Sequence, residues 1–208
     1  DPHKPLASEQ PPLDVQVVSL DWKWLFIQPA AGVASVNRLV VPAGTPLRLL
    51  LTSATVMNSF FVPQLGSQLY TMPRMTTQLH LMADRPGIYP GFSAQFSGDG
   101  FSSMRFELVA LAPADYQRWL QTAQRAPATL DRAAYEKLSR PGTDVDTANF
   151  GSVEALLFQR IAGGDEMASV CSAPVAQRRP RSDDGNRWLP GSRNQADVAM
   201  LPIEPATD

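Results

Sequence analysis

Val18-Ser19-Leu20-Asp21-Trp22-Lys23-Trp24-Leu25-Phe26 carries the period that decides the fold. Val18, Leu20, Trp22, Trp24 and Phe26 share one parity, and Ser19, Asp21 and Lys23 fall between them. A strand with this pattern has one apolar and one polar face. Just upstream, Val15 and Val17 flank Gln16 on the opposite parity, and a bulge or a strand start near Val17-Val18 reconciles the two. Further apolar segments follow at 36–41, 46–52, 59–62, 76–82 and 103–110. Turn signals separate them: Pro29 to Gly32, Pro42-Ala43-Gly44, Pro63 to Gly66 and Arg85-Pro86-Gly87. In the last of these, proline presets φ and glycine accepts a positive φ. Short strands at this spacing predict an antiparallel β-sandwich or barrel over residues 14–112.

After Pro113 the period changes. Tyr116, Trp119, Leu120 and Ala123 fall at helical spacing, with Pro113 in the first turn. Leu130, Ala134, Tyr135 and Leu138 form a second stripe. Val153, Leu156, Leu157 and Ile161 form a third, with Ser152 as candidate N-cap. Residues 113–163 are therefore expected to be a helical extension. Residues 1–13, rich in proline and polar side chains, read as a linker. Residues 164–208 mix Pro, Arg, Asp and Gly without a period and are expected to be disordered.

Composition narrows the function classes. A chain of 208 residues with net charge −2 lacks the basic face that general nucleic-acid binding needs. Nineteen prolines favour loops and edge strands over a helical bundle. The single cysteine, Cys171, excludes an intrachain disulfide and any Cys-pair metal site, and its aperiodic surroundings suggest an inert thiol. Arg178-Arg179-Pro180-Arg181 is largely cancelled by Asp183 and Asp184. Neither a phosphate-binding glycine loop nor a Ser/His/Asp triad can be composed. His80 stands between Leu79 and Leu81 on the polar parity of its strand and reads as solvent-exposed rather than a ligand. His3, in the linker, is assigned no role. No run approaches the ~20 apolar residues that span a bilayer, and the opening residues contain no apolar signal-peptide core.

Ser93-Ala94-Gln95-Phe96-Ser97-Gly98-Asp99-Gly100-Phe101-Ser102-Ser103-Met104 has a second layer of meaning. Taken alone it is a small-residue loop between two strands, with Gly98 and Gly100 as turn residues. Cysteine at Ser93 and Ser97 and histidine at Phe101, with Met104 kept, would make it the loop of a binuclear copper (CuA) site. A second histidine would have to come from an earlier strand end, and the segment Val56-Met57-Asn58-Ser59-Phe60-Phe61-Val62-Pro63 offers Asn58. Copper of this kind needs soft thiolate and imidazole donors. A serine hydroxyl is a hard, weak ligand, and phenylalanine has no lone pair.

These segments, in this order with the Trp22/Trp24 strand, resemble subunit II of the haem-copper terminal oxidases, in its quinol-oxidase branch (cytochrome bo type). The resemblance covers roughly residues 14–163. It implies a cupredoxin-like sandwich, mainly β, with the extension 113–163 typical of this branch. It implies vacated CuA-ligand positions at Asn58, Ser93, Gln95 (a backbone carbonyl in the copper branch), Ser97 and Phe101, with Met104 retained. It implies no catalytic residue, metal or cofactor in this chain, the haems and copper lying in subunit I. Its partners would be subunit I and other membrane subunits, with no nucleic acid. The domain would face the periplasm of a bacterial inner-membrane ubiquinol oxidase, following two transmembrane helices that this sequence does not contain. Trp22, Trp24 and Phe26 could then be an electron-entry surface, but alternating large side chains more often fill an interior. Two other readings stay open: a CuA-bearing cytochrome c oxidase subunit, against which the missing Cys and His count, and a cupredoxin-like binding module unconnected to an oxidase.

Overall fold

Asp21 and Trp22 turn the chain back between strand β1, Leu13–Leu20, and strand β2, Lys23–Gln28. Trp22 takes a φ of 64° to do so, a conformation uncommon for a bulky side chain. What reads as one strand is thus a hairpin, with Leu20 opposite Lys23 and Val18 opposite Leu25. No bulge is needed at Val17-Val18, because both faces are buried. Val15, Val17, Trp24 and Phe26 point into the main core, and Val18, Leu20, Leu25 and Ile27 into a second cluster on the other side. The expected polar face is likewise buried: Ser19 and Lys23 are 0% and 2% exposed.

The remaining strands are β3, Val33–Val36; β4, Arg38–Pro42; β5, Leu47–Ser53; β6, Asn58–Phe61; β7, Leu69–Thr71; β8, Thr77–Leu81; β9, Gly87–Ser93; and β10, Arg105–Leu111. The extension holds helix α1, Pro113–Gln124; β11, Thr129–Leu130; α2, Arg132–Leu138; β12, Asn149–Phe150; β13, Ser152–Val153; and α3, Leu157–Gly163. One sheet has the order β12-β3-β2-β1-β5-β8, and the facing sheet β4-β10-β9-β6-β7. The architecture is the expected sandwich, yet its sheets are mixed: β1 pairs parallel with β5, and β4 parallel with β10. Trp24, Phe26, Phe60 and Phe106 meet at the centre, with ring centroids 4.8–6.5 Å apart.

This computed structural model describes residues 10–66, 68–143 and 147–163. The expected tail 164–208 with Cys171, and residues 1–9 of the expected linker, lie outside the described residues; Leu13 is already in β1. The extension is less purely helical than its apolar stripes suggest. Ser152 is not an N-cap: it lies in β13, which pairs with β11, and α3 starts five residues later. β12 joins β3, so the extension completes the first sheet. Leu130, Leu157 and Phe158 then cover Val18, Leu20 and Leu25. Burying each large apolar side chain contributes about 1.5–3 kcal/mol.

Helix α1 is fixed by a buried polar relay. Tyr116 donates to the Gln28 side-chain oxygen at 2.6 Å, and the Gln28 amide donates to the Val40 carbonyl at 2.7 Å. His80 is not solvent-exposed as its parity suggests. It is 8% exposed, 2.7 Å from the Gln78 amide nitrogen, in the cross-strand row Asp14–Arg48–His80. The Gln78 side chain and Arg48 on the paired strand flank the imidazole.

Candidate functional site

The positions singled out by their spacing converge at one end of the sandwich. Strand β6 begins at Asn58 and β9 ends at Ser93; Phe60 pairs with Ser93, which sets the two side chains beside each other. The Ser93 hydroxyl lies 3.2 Å from both the Asn58 side-chain oxygen and the Gln95 carbonyl oxygen. It also accepts the Ser59 backbone N–H at 3.3 Å. The Asn58 amide donates to the Val56 carbonyl at 3.2 Å. Asn58 and Ser93 are 1% and 2% exposed. Their polar atoms are therefore committed to one another, as buried polar groups must be.

The rest of the loop closes above this pair. Ser93 N–H bonds the Met104 carbonyl at 3.2 Å, and a single 3-10 turn, Phe101–Ser103, brings the chain round. Met104 is buried in the main core, and the Ser97 hydroxyl approaches its sulfur at 4.0 Å. Phe101 meets the exposed Phe96 edge to face, 5.6 Å between centroids. A cleft of about 510 Å³ opens here, lined by Phe92, Ser93, Ala94, Phe101, Ser102, Met104 and Arg105. All the positions singled out by spacing thus belong to one place. Asn58, Ser93 and the Gln95 carbonyl form one hydrogen-bonded set, and Ser97 and Met104 another.

This donor set does not fit binuclear copper. It consists of an amide, two hydroxyls, a phenyl ring and one thioether, with no thiolate or imidazole. Among the described residues no three His, Cys, Asp or Glu side chains gather as a metal site.

Other residues of this end have no sequence signal. Ser19 and Thr71 share a 2.7 Å hydroxyl hydrogen bond, and Thr71 reaches the Asn58 carbonyl at 3.4 Å. Trp24 and Phe26 fill the interior, whereas Trp22 packs against its edge and is only partly buried. Its indole N–H donates to the Ser97 carbonyl at 3.1 Å, so the hairpin turn holds the loop directly. Lys23 donates to the carbonyls of Leu138 and Arg140, at 2.9 and 2.6 Å. Burial pushes its ammonium below the ordinary lysine range, and Asp21 partly opposes this. Only the fold brings these partners together, so the alternation around Trp22 could not reveal them.

With this geometry established, comparison with known proteins is informative. Residues 25–110 match the family described as cytochrome c oxidase subunit II, periplasmic domain, and residues 124–163 match the COX Aromatic Rich Motif. The chain is 48% identical over 161 residues to the cytochrome bo(3) ubiquinol oxidase subunit 2 of Pseudomonas aeruginosa, covering 77% of this chain and 49% of that protein. It is 46% identical over 163 residues to the ubiquinol oxidase subunit 2 of Acetobacter aceti, covering 77% and 53%. The chain thus spans about half the length of these curated relatives. The crystal structure of the periplasmic domain of subunit II of cytochrome oxidase of Bradyrhizobium japonicum superposes with a TM-score of 0.52. That match, at 21% identity over 54% of this chain and 94% of the other, is a likeness of fold.

Proposed function

We propose that this chain, similar to ubiquinol oxidase subunit 2 of other bacteria, is the periplasmic part of a non-redox subunit II of a proton-pumping ubiquinol oxidase. It caps the catalytic subunit I at the outer face of a bacterial inner membrane, with haems and copper held in that partner. Among the described residues no helix is long and apolar enough to cross a membrane. A quinol delivers its electrons from within the membrane, and a water-side metal relay has no task in such a complex.

One observation carries this reading. At the spacing of a copper site, Asn58, Ser93 and the Gln95 carbonyl satisfy each other by hydrogen bonds. Restoring a metal would require breaking that set as well as adding ligands. The copper-bearing alternative has no ligands here. A module unconnected to an oxidase is at odds with the similarity to oxidase subunits, which extends through the helical extension.

The test has two arms. The purified chain is equilibrated with Cu(II), freed of excess metal and examined by absorption and EPR. An intense thiolate-to-copper band or a mixed-valence signal would refute the reading. In the assembled complex, Ser93→Ala and Ser97→Ala should leave ubiquinol oxidation per complex unchanged. A loss of turnover with normal assembly would place this domain in the electron path.

A further inference from the structure

The segment after α2 lies across the hairpin turn. The Lys23 ammonium binds the carbonyls of Leu138, in the last turn of α2, and of Arg140 beyond it. A cation at this place satisfies carbonyls that the helix leaves free and complements its negative end. Gly142 follows, so close to Lys23 that an added Cβ would be 4.0 Å from the ammonium nitrogen. Thr143 then reaches the loop. A Cβ built on Gly100 would lie 2.2 Å from the Trp22 indole and 2.6 Å from the Thr143 methyl carbon. Indole and methyl therefore converge on the same bare glycine, which is buried although Thr143 faces solvent. The opposite anchor of the indole is its bond to the Ser97 carbonyl.

We propose that residues 138–143 are a strap, latched by Lys23, that covers Gly100 and the part of the Trp22 indole around it against soluble protein partners. The extension thereby adds a cover to Trp22, the aromatic side chain of the hairpin that the core buries only in part. Lys23 suits the role because a buried amine has few other ways to satisfy its donors. Gly100 suits it because any side chain would wedge the strap from the indole.

The full chain is labelled with 5-fluorotryptophan, and the Trp22 resonance is assigned through Trp22→Phe. Fluorine NMR with a soluble nitroxide reads indole exposure, and hydrogen exchange reads the amides of Phe101, Ser103 and Met104, which are bonded within the loop. In the parent chain the nitroxide should broaden Trp22 only in part, in keeping with its half-buried indole. In Lys23→Met the broadening should become strong, and loop exchange should accelerate roughly tenfold or more, as expected when a charge-assisted hydrogen bond is lost. Thr143→Gly, which keeps the latch, should raise Trp22 exposure alone. The unchanged Trp24 resonance shows that each variant is folded. Full broadening of Trp22 in the parent chain would overturn the proposal. So would a Lys23→Met variant in which exchange rises only within residues 132–143 and Trp22 stays shielded.

Discussion

Gly91→Ala sets two effects of opposite sign against each other, and the structure says which wins. Gly91 lies on β9 opposite Phe106 on β10 and is absent from the glycines with positive φ. Alanine can adopt such a backbone, and the lost freedom of the unfolded chain alone would stabilise by about 0.4–1 kcal/mol. The added methyl, however, would stand 2.1 Å from Cζ of Phe106 and within 2.6 Å of two more ring atoms. The ring has no way to retreat, since Phe60, Trp24 and Phe26 surround it at 4.8, 5.4 and 5.4 Å. Overpacking of this kind costs about 1–3 kcal/mol. The net expectation is a destabilisation of up to about 2.5 kcal/mol, which lowers Tm by a few degrees in a domain of this size. Urea unfolding at constant m measures it. The decisive comparison is a double-mutant cycle with Phe106→Leu. The smaller side chain leaves room for the methyl, so the Gly91→Ala penalty should vanish or change sign in that background. Additivity within about 0.5 kcal/mol would refute the steric account.

Tyr116→Phe should cost about 1–3 kcal/mol in urea unfolding, because the buried Gln28 oxygen loses its donor. Burial pushes the Tyr135 hydroxyl from 10.0 up to about 12 and raises Tyr116 as well. Both stay protonated when folded after the unfolded chain has ionised, so their contribution is present below pH 10 and is lost as pH rises towards about 12. Lys23, whose value is lowered from 10.5, works the other way, its burial cost easing as pH rises to that value. Tyr135→Phe should therefore flatten the alkaline fall in stability measured by denaturation at a series of pH values. The variant Asn58→His, Ser93→Cys, Ser97→Cys, Phe101→His, with Met104 in place, should bind copper with an intense thiolate-to-copper absorption and melt higher with metal than without. A folded variant with no such band would mean that the loop has drifted from ligand geometry.

The sandwich was legible because alternating apolar residues leave few other arrangements. Its details were hidden where local pattern and long-range pairing part company. Trp22 reads as a strand residue, and nothing nearby announces that an aromatic side chain will occupy a turn at φ 64°. β9 contains Pro90 and Gly91, poor strand formers. Pro90 is tolerated because β6 pairs only with Phe92 and Ser93, so no ladder partner stands on that side. The pairs β12–β3 and β11–β13 are two residues long and exist only through remote partners. At the site, Asn58, Ser93, Gln95, Ser97, Phe101 and Met104 were legible from spacing. Ser19, Thr71, Lys23 and Thr143 were not, since their roles depend on contacts across the fold.

The two parallel strand pairs within the sandwich also bear on the order in which this protein can be built. β1 pairs first with β2 in the hairpin, but its other edge stays open until β5 arrives, with Asp14 meeting Arg48 34 positions later. β4 must wait longer, for Arg38 meets Glu107 69 positions on. A growing chain that ends before β10 carries β4 without the strand it pairs with, although Leu39 and Val41 can already pack against the first sheet. Non-local pairing of this kind slows folding and prolongs exposure to aggregation. The domain is therefore most vulnerable in the interval before β10 is made, and a holdase would be most useful to it then.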